Sequence, residues 1–221
     1  DAYLSISIFH PNRKYLRCLW QSKLCEFTCL PFGYSLAPRV FTKVLKPVMV
    51  HLRFRGMKIT ISFDDILLAA SSRHRDCTDQ VAIMIQLWEE LCFIINKEKS
   101  HLDPVTEISY LGFILDSSTM TLALPESKIE KISVACKQLL NERNPSVRDV
   151  SQLTGLLVSN LPAVNNLQLY YRSLELCKIE ALSNSTELDY DFKLSLSEQA
   201  RNAIFLILMG NYSRNSKLIF T

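Results

Sequence analysis

No stretch of these 221 residues reaches the roughly 18 uninterrupted apolar side chains that a membrane-spanning helix needs, which excludes a helical span. A basic leader with an apolar core and a small-residue cleavage site is missing too, so no secretory signal is expected. Neither C-x-x-C nor H-E-x-x-H occurs. The seven cysteines (Cys18, Cys25, Cys29, Cys77, Cys92, Cys136, Cys177) are odd in number and scattered, and His10, His51, His74 and His101 stand far apart, so a zinc site is unsupported. We read the thiols as reduced side chains of a cytoplasmic or nuclear protein. Charge is also sparse, at 21% against 48% hydrophobic residues, which excludes a disordered chain and supplies a real core. The sequence opens on Asp1 and runs directly into patterned chain, and is expected to be a piece of something longer.

The charge that is present is unevenly distributed. Residues 1–60 hold ten Lys or Arg against only Asp1 and Glu26, a local balance of +8 within a whole-chain balance of +3. Such a field suits a polyanionic partner, and a basic face that merely solvates the fold is the alternative.

Up to about residue 30 the pattern is strand-like. "YLSISI" alternates, and "KYLRCLW" and "KLCEFTCL" are β-rich, so three short strands are expected. Val40, Phe41, Val44, Leu45, Val48, Met49 and Leu52 then recur at helical spacing, with Pro38 in the first turn and Gly56 placed to close a helix near Arg55. Pro47, inside it, predicts a bend. "MKITIS" and "DILLAA" predict a hairpin. Val81, Met84, Ile85, Trp88 and Leu91 mark a second helix, and "EISYLGFIL" with "MTLAL" another strand pair. From Pro125 the chain turns helical: Ile129, Ile132, Cys136 and Leu139 form a stripe, and Ser146 with Asp149 fits a capping box. Further helices are expected over about 162–180 and 196–209. The fold class is α+β, with the all-β-and-helix part over 1–125 and the all-helical part over 126–221.

"SFDDILL" sets two carboxylates side by side between apolar strands. Like charges this close repel, yet they suit hard divalent cations; a solvated turn is the plain alternative.

The order "DAYLSISI", "LPFGYSLAPRVFTKVL", "SFDDILL", "NKEKS", "SYLGFIL" resembles the palm motifs of retroelement reverse transcriptases, nearest the DIRS type and next the gypsy type, over residues 1 to about 180. The resemblance implies a palm of antiparallel sheet with helices on one face and partial fingers, followed by a helical thumb or connection. It implies an RNA-directed DNA polymerase that joins a deoxynucleotide to a primer 3′ hydroxyl on an RNA or DNA template, with two Mg²⁺ ions, no membrane, and polyprotein neighbours: fingers upstream, RNase H downstream. Asp64 and Asp65 match the paired metal-binding aspartates, and Lys99 the lysine near the leaving pyrophosphate. Asp1, Ala2 and Tyr3 match the nucleotide site, Tyr3 lying under the sugar, where it excludes a 2′ hydroxyl. Phe32 and Gly33 of "LPFG" match the loop touching nucleotide and template. Tyr110, Leu111 and Gly112 match the primer-gripping hairpin, and Lys128 and Lys131 would track the duplex backbone. From pattern alone, Tyr3 reads equally as a core aromatic, Gly33 as a turn, and Lys99 as a solvent-facing lysine.

Two departures stand out. The family carries a further aspartate three residues before that of "DAY", so this stretch holds two of three metal-binding acids and is expected to be inactive by itself. Ser62 stands where the family's box has tyrosine. A catalytically dead nucleic-acid-binding relic is therefore the competing reading, and a helical scaffold with an incidental acidic turn a third. "SKLIFT" is expected to open the first strand of RNase H.

Overall fold

A computed structural model of the chain describes residues 2–70, 74–184, 189–210 and 217–218. It divides into two compact units, Asp1–Val105 and Thr106–Thr221.

In the first unit the expected opening strand is absent. Ala2–Ser5 forms a 3₁₀ turn, with Ile6 N donating to Tyr3 O at 3.0 Å. The reason is the lack of a ladder: this segment meets a partner only at the isolated bridge Ser7–Cys29, flanked by Ile8 N to Thr28 O and Leu30 N to Ile6 O, so residues 2–5 close their hydrogen bonds locally. A second 3₁₀ segment, His10–Tyr15, leads into strands β1 (Arg17–Trp20) and β2 (Lys23–Glu26), an antiparallel hairpin. Helix α1 (Ala37–Phe54) runs through Pro47 and buries Phe41, Leu45, Met49 and Leu52, the predicted stripe; Gly56, at φ +83°, turns the chain out of it.

Strands β3 (Lys58–Ser62) and β4 (Asp65–Ala69) pair antiparallel in the register Ser62–Asp65 through Lys58–Ala69, as the sequence predicts. Ile59 is buried against α1, and Ile61, Ile66 and Leu68 pack on the same cluster, which Trp88 of α2 (His74–Glu90) completes. Leu91, expected on that helix face, lies beyond the last turn and is exposed.

The second unit starts with β5 (Glu107–Tyr110), β6 (Phe113–Asp116) and β7 (Thr121–Ala123), one strand more than expected, joined by β8 (Lys217–Leu218) in an antiparallel sheet of order β5-β6-β7-β8. Helices α3 (Glu126–Asn141), α4 (Val147–Ser159), α5 (Leu167–Asn184) and α6 (Glu198–Met209) enclose a core that includes Ile132, Cys136, Leu139, Leu153, Leu157, Leu167, Leu174 and Ile204. Ser146 caps α4 through a capping box with Asp149: Ser146 N and Oγ donate to Asp149 Oδ2 at 2.8 and 2.6 Å, and Asp149 N donates back to Ser146 Oγ. These bonds hold the Asp149 carboxyl below its usual range. The segment 189–194 lies along the start of α4. Val147 N donates to Phe192 O and Leu194 N to Pro145 O, and Arg148 forms a two-point ion pair with Asp191 at 2.9 and 3.2 Å. The class is α+β, with the strands of the described residues in three small antiparallel sheets.

Candidate active site

The β3–β4 turn consists of Phe63 and Asp64, with Asp65 opening β4. Phe63 has φ +55° while Asp64 is not left-handed, the sign pattern of a II′ turn, whose first central position ordinarily takes glycine. A bulky side chain there is a conformational outlier of the sort that concentrates at functional sites. Phe63, Asp64 and Asp65 are all exposed, so neighbouring carboxylates are presented to solvent on a short turn.

What holds this turn in place is legible only in three dimensions. Arg53, near the end of α1, donates from Nε and Nη2 to the Ile59 carbonyl at 3.1 and 3.0 Å, fastening β3 to the helix. Nothing in the sequence flagged it, because the acceptor is backbone. Beside the turn lies a hollow of about 220 Å³ lined by Thr42, Leu45, Ile61, Ser62 and Phe63. Neither Tyr3 nor the two aspartates line it.

Tyr3 packs by its ring against Phe32 at 5.5 Å between centroids and edge-on against Phe41 at 5.7 Å. Tyr3, Ile61 and Ile66 all rest on the Phe41–Leu45–Met49 cluster, so α1 supports both the Tyr3 segment and the aspartate hairpin. Tyr3 therefore has the core packing that pattern alone allowed. Phe32 is exposed, and the adjacent Gly33 has φ +85° with open space where a Cβ would stand, so its need for glycine is conformational. Asp1 lies outside the described residues.

Lys99 is exposed in a turn held by Asn96, whose Oδ1 accepts from Lys99 N at 3.2 Å. In the second unit, the β5–β6 turn Leu111–Gly112 has φ +49° and +75°, a I′ turn. Lys128 Nζ lies 4.2 Å from the Phe113 ring centre, and a Cβ on Gly112 would meet Lys128 Nζ at 2.9 Å. Tyr110, Leu111, Gly112 and Lys128 are thus brought together, while Lys131 stands exposed on α3. Among the described residues no group of three His, Cys, Asp or Glu is placed to hold a metal. A pair of hard oxygen ligands is nonetheless a donor set that fits Mg²⁺, which characteristically takes one or two carboxylates and completes its shell with water and substrate phosphate.

The family model for reverse transcriptase (RNA-dependent DNA polymerase) matches residues 3–115. The Gag-Pol polyprotein of Walleye dermal sarcoma virus is 28% identical over 131 residues, 58% of this chain and 7% of the polyprotein. Solved structures of a foamy viral protease-reverse transcriptase share the fold. One in complex with double-stranded DNA has a TM-score of 0.74 at 17% identity, covering 95% of this chain and 33% of that one. Another, with an RNA/DNA hybrid, gives 0.68 at 16% identity, over 97% and 26%. The chain thus spans a minor part of each relative.

Proposed function

The chain belongs to the reverse transcriptase (RNA-dependent DNA polymerase) family, and from that premise we propose that it is the polymerase core of a retrotransposon polyprotein, nearest the DIRS type and then the gypsy type by its motif series. Residues 1–125 are the palm with partial fingers, taking in the 107–123 strands, and 126–221 the thumb or connection. The observation that carries the reading is the exposed Asp64–Asp65 pair on the tip of a hairpin that shares its apolar support with Tyr3.

Asp64 and Asp65 would hold Mg²⁺, which would supply charge neutralisation at the primer 3′ hydroxyl and at the nucleotide phosphates. The chain's own groups orient and select. Tyr3, braced by Phe32 and Phe41, blocks a 2′ hydroxyl by steric exclusion, which needs a rigid wall rather than a hydrogen bond. Ala2, Phe32 and Gly33 belong to the nucleotide site, with Asp1 beside the triphosphate, and Lys99 offers a cation or proton to the leaving group. Lys128 and Lys131 meet the duplex backbone, and Tyr110, Leu111 and Gly112 grip the primer strand. Template, primer and deoxynucleotides are the partners.

A second reading has its own support. Ser62, which stands where the family's box has tyrosine, lines the hollow beside the turn. On that reading the chain binds primer–template without extending it. One experiment separates the two: primer extension on an RNA template with Mg²⁺, using the polyprotein with its native upstream sequence, beside salt-dependent binding of the same duplex. Extension that Asp64→Asn abolishes supports the polymerase. Binding that weakens steeply with salt, without extension, supports the relic, and failure to bind at all overturns both.

A further inference from the structure

The β1–β2 hairpin has no part in the site above, and all eight of its strand residues are exposed. Its turn, Gln21–Ser22, has φ +47° and +60°, the two-residue I′ geometry in which the flanking pair, Trp20 and Lys23, exchanges backbone hydrogen bonds. Opposed pairs alternate along an antiparallel ladder. Leu19–Leu24 is therefore a non-hydrogen-bonded pair, and Cys18–Cys25 is again a hydrogen-bonded one. Directly opposed residues share a face, so the two cysteines stand side by side, and both are free and exposed.

In such a pair the Cα atoms lie about 5.5 Å apart, within the range that disulfides span. The Cβ atoms of a hydrogen-bonded pair lie about 5.5 Å apart, roughly 1.5 Å more than a relaxed disulfide prefers, so closure draws the strands together under strain. The ladder is anchored on its open side by Arg17, whose Nε donates to Glu26 Oε1 at 2.8 Å, and on the other by the turn. No other two cysteines oppose each other in a described strand pair. Cys136 and Cys177 are buried, and Cys29 pairs with Ser7.

We infer that Cys18 and Cys25 form a reversible cross-strand disulfide, an oxidisable staple on this hairpin that does not rest on the polymerase reading. The oxidant is a small-molecule disulfide such as oxidised glutathione. One cysteine thiolate attacks its S–S bond, releasing one glutathione thiolate and leaving a mixed disulfide on the protein. The opposed cysteine thiolate then attacks the protein sulfur of that mixed disulfide and releases the second glutathione thiolate. Two cysteine protons are given up, one protein S–S bond forms and two glutathione thiols result. Strain and exposure make the bond easy to reduce again.

The test is intact-mass and peptide analysis of the protein equilibrated with oxidised and reduced glutathione. Trypsin cleaves after Lys23, between the two cysteines, so the bond joins two separable peptides. The expected result is loss of two hydrogens, a linked pair of peptides that excess reduced glutathione releases, and the same link in C29S, the control needed because Cys29 shares the second peptide. In C18S and C25S the link disappears and the remaining partner carries a stable glutathione adduct. The inference is overturned if the unaltered protein accumulates separate glutathione adducts on Cys18 and Cys25, if the link persists in C25S through Cys29, or if both thiols stay free where the single variants take up glutathione.

Discussion

Replacing Phe41 with alanine tests whether one side chain supports both halves of the proposed site. Phe41 is 3% exposed and is the ring through which Tyr3 is joined to the α1 cluster, with edge contacts at 5.7 Å to Tyr3 and 6.5 Å to Phe93. Truncating a buried phenylalanine to alanine costs about 3–5 kcal/mol, from lost transfer energy and from the cavity left behind. Each aromatic pair adds about 0.5–1.5 kcal/mol beyond burial, so Phe41→Leu, which keeps most of the volume, should cost about 1–2 kcal/mol. Trp88 is the reporter: it is 4% exposed, with its ring 5.0 Å from that of Phe93, so a W20F background isolates the emission of this unit. For a urea slope of about 2 kcal/mol per molar, Phe41→Ala should lower the midpoint by about 1.5–2.5 M. A shift under about 0.5 M, with the slope unchanged, would show that Tyr3 and the hairpin are held by something other than this cluster.

Arg53→Met removes the two charge-assisted bonds to the Ile59 carbonyl but keeps much of the stem, and should cost about 1.5–3 kcal/mol in the same assay, with faster amide exchange in β3. Ser146→Ala should cost about 1 kcal/mol of thermal or urea stability by uncapping α4. Asp116 accepts from Ser118 and Thr119 through backbone and hydroxyl groups, which lowers its carboxyl from 3.8 to about 2. Because the folded value is the lower one, the ordering of the 116–119 turn is complete above about pH 4 and is lost as pH falls through about 2; amide exchange at Ser118 should show this, and a loss beginning near neutral pH would refute it. Burial pushes the Cys136 thiol up to about 12, so it should resist alkylation in the native protein and react only on unfolding.

The legible parts of the fold were those where one local rule governs. The α1 stripe, the 58–69 hairpin and the Ser146–Asp149 box each follow from periodicity or capping chemistry within a few residues, and each formed as the pattern requires. The opening strand failed because alternation in "YLSISI" states a preference, while a strand also needs a neighbour, and the described chain offers residues 2–5 none. In the site, the adjacency of Asp64 and Asp65 is covalent and therefore visible in sequence. The approach of Lys128 to Gly112 and Phe113 and the Arg53 bond to a backbone carbonyl depend on tertiary placement, and neither leaves a residue pattern.

The hairpin turns share one further property. The chain has five glycines in 221 residues, and left-handed positions in the β1–β2, β3–β4 and β5–β6 turns fall to Gln21, Ser22, Phe63 and Leu111, each at a cost of about 1–2 kcal/mol relative to a relaxed backbone. The β3–β4 turn is held against that cost by Ile59, Ile61 and Ile66 on the α1 cluster and by Arg53. The β5–β6 turn has Gly112 as its second residue, a third strand alongside, and Lys128 over Phe113. The β1–β2 hairpin has two non-glycine residues in its turn and no buried strand residue, and a two-stranded hairpin without a packed face is marginal in water. Of these three hairpins it should therefore show the fastest amide exchange when its cysteines are reduced, and the largest slowing when Cys18 and Cys25 are joined. Equal exchange in all three would mean that turn strain does not set their relative stability.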